Sequence, residues 1–318
     1  MSRSSNDNGR AYEYACLITL NEEIGKMRSV EIVRNSSYEA ALRSWNNISG
    51  KLRTSLLESA KAAVFTVFDM EPMMTENSDD RLTVRIQSDD RGKQGDVRDI
   101  VVERSQMVWE IGFSVKHNHF AVKHSRLSRR LDFGQKWMGL PCSREYWNAV
   151  KPVFDYLQSE KRKNTLFREL ADKDTAVYVP LLNAFVGEIK RKYEEHTDLL
   201  SRMVEYLLGM FDFYKVISLD NKKVTQIQTY NLRGTLNRGS ADSKPKIIVP
   251  VASLPTRIVS LDFKPGSSNT VELYLDNGWQ FSFRIHNAEE KVNTSLKFDI
   301  ELIGMPANIL ILNCYWRG

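Results

Sequence analysis

A chain of 318 residues with 42% hydrophobic and 27% charged side chains is composed like a folded protein with a sizeable core, which excludes a disordered or low-complexity chain. The net charge of +5 points, weakly, toward an anionic partner. Three scattered cysteines, Cys16, Cys142 and Cys314, speak against a disulfide framework and a zinc site. With a polar start and no apolar run near the ~20 residues of a membrane helix, they lead us to expect a protein of the cytoplasm.

Residues 9–27 are predicted helical, because Ala11, Tyr14, Leu17, Ile18 and Ile24 recur at helical spacing and leave Glu13 near the first turn. Ser36, with Glu39 three residues on, suggests a capping box for a helix over 38–47. The Ala- and Leu-rich stretch 51–68 predicts a third helix. The period then changes. Leu82, Val84 and Ile86 alternate with Arg81, Thr83 and Arg85, the pattern of a half-buried strand. After a turn over 89–95, residues 99–103 and 107–116 predict two more strands, giving a three-stranded meander closed through Ser105-Gln106. Ser143 is the expected N-cap of a helix reaching about 163. Residues 171–212 are expected to be largely helical, with a break at Val179-Pro180. The last third turns to strands, expected over 214–218, 224–230, 247–251, 257–263, 271–275 and 279–285, with Asp276-Asn277-Gly278 as a hairpin turn. Two parts are therefore expected, 1–212 and a β-rich 213–318, meeting at a soft boundary without a linker.

The chemistry concentrates around Glu110–Lys116. In a strand, Ile111, Phe113 and Val115 point to one face, and Glu110, Gly112, Ser114 and Lys116 to the other. Asp96 and Asp99 open the preceding strand, and pairing through the 105–106 turn brings an aspartate near Lys116. A carboxylate that holds a magnesium ion beside a lysine suits phosphodiester hydrolysis: the metal activates water and neutralises charge, and the lysine orients or deprotonates that water. Gly112 would leave room for a phosphate backbone. An Asp at one strand's start and a Lys at another's end also occur together in many α/β proteins, so the neighbouring residues matter. Residues 113–136 carry Lys116, Lys123, Arg126, Arg129, Arg130 and Lys136 against one acid, Asp132. His117, Asn118, His119 and His124 fall in the same run, which reads as a DNA-backbone surface. A second basic stretch, 222–246, places Arg233 and Arg238 in loops that could reach base edges, or be solvated only. The contiguous His117-Asn118-His119 is not an HNH nuclease motif, whose residues spread over a ββα unit.

Several blocks resemble the HaeIII family of type II restriction endonucleases. They are Gly9-Arg-Ala-Tyr-Glu-Tyr-Ala15, Gly95-Asp-Val-Arg-Asp-Ile100 and, most specifically, Trp109-Glu-Ile-Gly-Phe-Ser-Val-Lys-His-Asn-His119 with Ala121-Val-Lys-His-Ser-Arg-Leu-Ser128. Asp132-Phe-Gly134, Val224-Thr-Gln-Ile-Gln228 and Phe283-Arg-Ile-His-Asn-Ala288 add to it, so the likeness runs over nearly the whole chain. The resemblance implies a PD-(D/E)XK fold, a mixed sheet flanked by helices, with Mg2+-dependent cutting of double-stranded DNA at GGCC. It also implies roles: Asp99 as the motif aspartate, Lys116 as the motif lysine, Glu13 as the helical glutamate near the metal. Arg98 replaces the motif proline, and Ser114 stands where the second acid belongs. Another carboxylate must then help to hold the metal, from Glu110, Glu13 or Asp96; Glu110 lies roughly 13 Å along the strand from Ser114. A palindromic target favours a homodimer, although a monomer nicking each strand in turn is an alternative. The rival readings are a sequence-specific DNA-binding protein without catalysis, and a nuclease acting on RNA.

Overall fold

In a computed structural model of the chain the described residues are 3–88, 95–120, 123–240 and 242–316; the side chains of residues 3–6, Lys123 and His124 are not described, and most of the predicted turn over 89–95 lies outside them. The fold is mixed α/β, with a seven-stranded mixed sheet and a five-stranded antiparallel one. Its contacts divide the chain into two compact units with interleaved segments: 1–120, 209–252 and 307–318 form one, and 121–208 with 253–306 the other. The chain passes from the second unit back to the first at Gly209. Residues beyond 212 complete the first unit's sheet: the strand at 213–219 pairs with 109–117, 224–230 with 213–219, and 311–315 with 224–230.

The first unit opens with α1 (Arg3–Gly25), β1 (Val30–Val33), α2 (Ser36–Asn47) and α3 (Gly50–Met70). Asn35, one residue before the expected cap, starts α2: its Oδ1 accepts from Tyr38 N at 2.8 Å, while its amide donates to Ile86 O at 2.8 Å. The predicted meander forms as β2 (Leu82–Ile86), β3 (Ile100–Arg104) and β4 (Trp109–His117), paired antiparallel through a 3-10 turn at Ser105–Met107. β1 runs parallel to β2. β6 (Phe213–Leu219) lies parallel to β4, and β7 (Val224–Tyr230) and β12 (Ile311–Tyr315) extend the sheet to the order β1-β2-β3-β4-β6-β7-β12. The apolar rows of β2–β4, among them Val84, Val102, Ile111 and Phe113, bury against Tyr12, Leu17, Val64 and Val67 of α1 and α3 in one core. Residues 247–251, expected as a strand, are a loop: Ile247 N donates to Asp69 O and Val249 N to the Asn237 side chain, so no strand partner is needed.

The second unit holds β5 (Lys123–Ser128), α4 (Phe133–Met138), α5 (Arg144–Arg162), α6 (Val179–Glu195), α7 (Leu199–Leu208), β8 (Ile258–Phe263), β9 (Thr270–Leu275), β10 (Gln280–His286) and β11 (Ser295–Gly304). Ser143 caps α5 as expected, accepting from Tyr146 N at 3.1 Å. Pro180 sits at the start of α6, after a π turn over Asp174–Tyr178. The sheet runs β5-β11-β10-β9-β8, with Asn277 and Gly278 at φ +57° and +88° in the predicted hairpin turn. Its apolar face packs on helix aromatics; Trp137, Phe185, Phe283 and Phe298 stack within about 5–6 Å of one another, the closest pair at 5.0 Å.

Candidate active site

Asp99 is held within the sheet just before β3. Its N–H donates to Phe113 O at 2.7 Å and its carbonyl accepts from Gln87 N at 2.8 Å, so neighbours on both sides fix the backbone. Ser114 and Lys116 follow on β4, two residues apart and on one face by strand alternation. Three groups converge on one Asp99 oxygen: Lys116 Nζ donates to Oδ2 at 2.9 Å, Val115 N at 2.6 Å and Ser114 Oγ at 3.4 Å. All three meet Oδ2, and no partner of Oδ1 is present among the described residues. Asp99 is 24% exposed and Lys116 29%, so the pair is reachable from solvent yet partly desolvated.

Glu13 joins this neighbourhood from α1. Burial acts to lower the Lys116 pKa, but the Asp99 carboxylate, with Glu13 adding, outweighs it and holds the ammonium above its ordinary range. The buried Cys16 thiol is pushed up by its burial, and by the charges of Glu13 and Asp99 together. Two carboxylates thus act on the same pair of side chains.

Asp96 and Glu110 are placed differently. Arg98, where the motif has proline, takes Asp96 in a two-pronged pair (Nε–Oδ1 2.8 Å, Nη2–Oδ2 2.9 Å) and reaches Glu110 Oε1 with Nη1 at 2.8 Å. Gln87 Nε2 donates to Asp96 Oδ2 at 2.7 Å, and Asp96 is 4% exposed. Both acids are engaged by a buried guanidinium, which also lies 3.9 Å over the Phe211 ring. Gly112 serves this clamp: a Cβ there would overlap the Arg98 side chain. The room expected for a phosphate is filled by Arg98.

Sequence reading missed Lys215. The parallel pairing of β4 and β6 sets it opposite Ser114, the position where the motif acid is lacking. It is 5% exposed, donates to Phe120 O at 2.8 Å, and its pKa is pushed down to about 7 by burial and by the charge of Lys116. A lysine amid Phe213-Tyr-Lys-Val-Ile217 was the signal that could have marked it.

His117 and Asn118 tie the ends of β4 and β6 together. His117 Nε2 lies 2.6 Å from Asp220 Oδ2, and Asn118 Oδ1 accepts from Asp220 N at 3.2 Å. His119 is half-buried, and the side chains of Lys123 and His124 lie outside the described residues. Arg126, Arg129 and Arg130 belong to the second unit and are exposed. Arg233 and Arg238 are exposed on a loop of the first unit. That loop has a rigid base: Asp212 accepts from Leu232 N at 2.7 Å and Thr235 N at 2.9 Å, and Asn237 Nδ2 donates to Met70 O at 2.7 Å and Ile247 O at 2.9 Å.

Among the described residues no group of three or more His, Cys, Asp or Glu side chains is placed to hold a metal ion. The donors present, the open oxygen of Asp99 and the carboxylate of Glu13, fit an ion that takes one or two protein carboxylates and fills its other positions with water and substrate phosphate. No helix among the described residues is long and apolar enough to cross a membrane.

Comparison with known proteins identifies the family. The HaeIII restriction endonuclease family matches residues 9–306. The type II restriction enzyme HaeIII of Haemophilus aegyptius is 50% identical over 318 residues, covering all of both chains. No solved structure matches. The mixed sheet and these likenesses define the class first: a sequence-specific type II restriction endonuclease, an enzyme that hydrolyses DNA. Within that class the chain belongs to the HaeIII restriction endonuclease family. Enzymes of this type generally need a divalent metal ion.

Proposed function

We propose that the chain makes Mg2+-dependent double-strand cuts in DNA at GGCC, with Asp99 and Lys116 at the centre of the reaction. The observation that carries the reading is the 2.9 Å contact of Lys116 Nζ with the one Asp99 oxygen that Val115 and Ser114 also donate to. Asp99, through Oδ1, and Glu13 would hold the metal. Asp96 and Glu110 are the weaker candidates, because Arg98 already neutralises them. Bound Mg2+ would supply positive charge at the scissile phosphate and make bound water more acidic.

The protein's own groups have separable tasks. Lys116, kept protonated by its carboxylate neighbours, orients the attacking water and opposes the negative charge that builds on the pentavalent phosphate. Ser114 supplies a hydroxyl that steadies Asp99 instead of a second charge. Lys215 anchors the chain at Phe120 through its hydrogen bond to the carbonyl there. Arg98 positions the strand ends by bridging Asp96 and Glu110.

His119 of the first unit and Lys123, His124, Arg126, Arg129 and Arg130 of the second would contact the DNA backbone, and His117 and Asn118 would shape the ends of β4 and β6. Arg233 and Arg238 would read bases from their braced loop. The β-rich segments 253–306 of the second unit would assist recognition. Because GGCC is its own complement, two copies related by a two-fold axis would each cut one strand. The working compartment would be the cytoplasm, where foreign DNA arrives.

The test is a digest of DNA of known sequence with and without Mg2+, with every fragment end mapped. Ends confined to GGCC, and lost on chelation, are the expected result. A protein that retards duplex DNA but leaves it uncut with Mg2+ would favour binding without catalysis; ends at another sequence would overturn the target.

A further inference from the structure

Strand alternation gives the second unit's sheet two faces. Leu127 of β5, Phe298 of β11 and Phe283 of β10 are fully buried on the inner one. The residues between them point outward, and register sets Arg126 opposite Lys297 and Lys297 opposite His286. Side chains directly opposite on antiparallel strands have Cβ atoms about 5 Å apart, where like charges destabilise the sheet. Three basic residues in one cross-strand row therefore work against folding.

Compensation is partial. One row along, Asp299 lies opposite Arg284 and contacts Arg284 Nη2 at 2.9 Å, Lys297 Nζ at 3.0 Å and His286 Nε2 at 2.9 Å. A single carboxylate thus serves three basic groups. Arg126 has no carboxylate partner among the described residues; its Nη1 donates to Ser295 O at 3.1 Å, which holds the exposed guanidinium outward. The strip continues past the row. β5 and β11 meet at the pair Ser128–Ser295, which borders a cavity of about 610 Å3 that Arg129, Arg130 and Gln158 also line. Arg129 pairs with Asp155 at 2.9 Å, whereas Arg130 makes no ion pair among the described residues.

We propose that this outer face, the row Arg126–Lys297–His286 with Arg284 beside it, is a backbone-binding surface for duplex DNA on the second unit. The proposal rests on the endonuclease reading, which supplies the polyanion. Contacts of this kind carry affinity without sequence information and release counterions, so they make binding steeply salt-dependent. The surface sets how tightly the enzyme holds DNA, while bond cleavage belongs to Asp99 and Lys116.

The experiment uses the full chain and fluorescent duplexes with and without the target, titrated without metal ion over a salt series. Variants are Arg126→Gln/Lys297→Gln, Asp299→Asn, and Lys264→Gln as a control, since Lys264 follows β8, the opposite edge strand of the same sheet, and pairs with Glu272 at 3.7 Å. The double variant should weaken binding to both duplexes alike, with a log K against log salt slope shallower by about one per cation removed. Its single-turnover cleavage at sub-saturating protein should fall in step with the lost affinity. Asp299→Asn removes the carboxylate that contacts Arg284, Lys297 and His286 and should tighten binding, a gain that misfolding cannot produce. Wild-type affinity and slope in both variants would overturn the proposal, as would weakening confined to the target duplex. Wild-type protein that neither binds nor cuts duplex DNA would instead refute the endonuclease reading.

Discussion

Replacing Asp99 with asparagine isolates the charge on which the proposed chemistry depends. The amide is nearly isosteric, and its oxygen can still accept from Val115 N, now 2.6 Å from Oδ2. Lys116 loses its charged partner at 2.9 Å. A hydrogen bond to a charged group contributes about 1.5–3 kcal/mol against about 1 for a neutral one. With roughly a quarter of each side chain exposed (24% and 29%), the folded protein should lose about 1–2 kcal/mol. That corresponds to a melting temperature lower by roughly 2–8 °C. Catalysis should suffer far more. Removing one preorganised electrostatic group typically costs about 10²–10³ in rate, and in the proposed mechanism this one would also hold the metal. A single-turnover rate reduced at least ~1000-fold, about 4 kcal/mol in the barrier, is expected. Metal-free binding of a duplex should be kept or strengthened, because a negative charge near the phosphate is gone. Single-turnover cleavage, duplex binding and thermal unfolding, measured on one preparation, separate the three effects. Cleavage by Asp99→Asn within tenfold of wild type would refute the assignment of Asp99.

Gly112→Ala tests the Arg98 clamp. The new methyl group would overlap Arg98, whose guanidinium is enclosed by Asp96, Glu110 and Phe211, so overpacking should cost about 1–3 kcal/mol and reduce cutting; a melting temperature equal to wild type would show that Arg98 need not cross that position. Glu71 is fully buried, accepts from Tyr214 OH at 2.5 Å and Asn237 N at 2.6 Å on one oxygen, and is pushed up to about 7 by its burial. Its folded pKa exceeds the unfolded value, so its contribution is complete below about pH 4.5 and is lost as pH rises through 7. Glutamine at that position keeps an acceptor for both donors without the charge. Glu71→Gln should therefore be more stable than wild type at pH 8, by up to about 3 kcal/mol, and the gain should vanish near pH 4.5 in denaturant titrations; a gain that does not change with pH would refute the explanation.

Much of this protein follows from short-range pattern. The alternation of Leu82, Val84 and Ile86, and of Ile111, Phe113 and Val115, specifies strands whose turn at 105–107 is short enough to fix the antiparallel partner. Asp99 and Lys116 sit on those neighbouring strands, so their meeting was legible before any tertiary contact was known. Ser143 and Asp276-Asn277-Gly278 were legible for the same local reason, a cap and a turn that depend on three or four residues. Other features depend on partners distant in sequence. Lys215 lies beside Ser114, 101 positions earlier in the chain, only because β6 pairs parallel to β4, a pairing that neither strand's own pattern encodes. Gly112 is glycine because a side chain fourteen positions back crosses it, and that same arginine holds Asp96 and Glu110. Residues 247–251 have the composition of a strand, but Asp69 and Asn237 satisfy their backbone first. Pattern along the chain sets which face a side chain takes; only the folded arrangement decides which other side chain is waiting there.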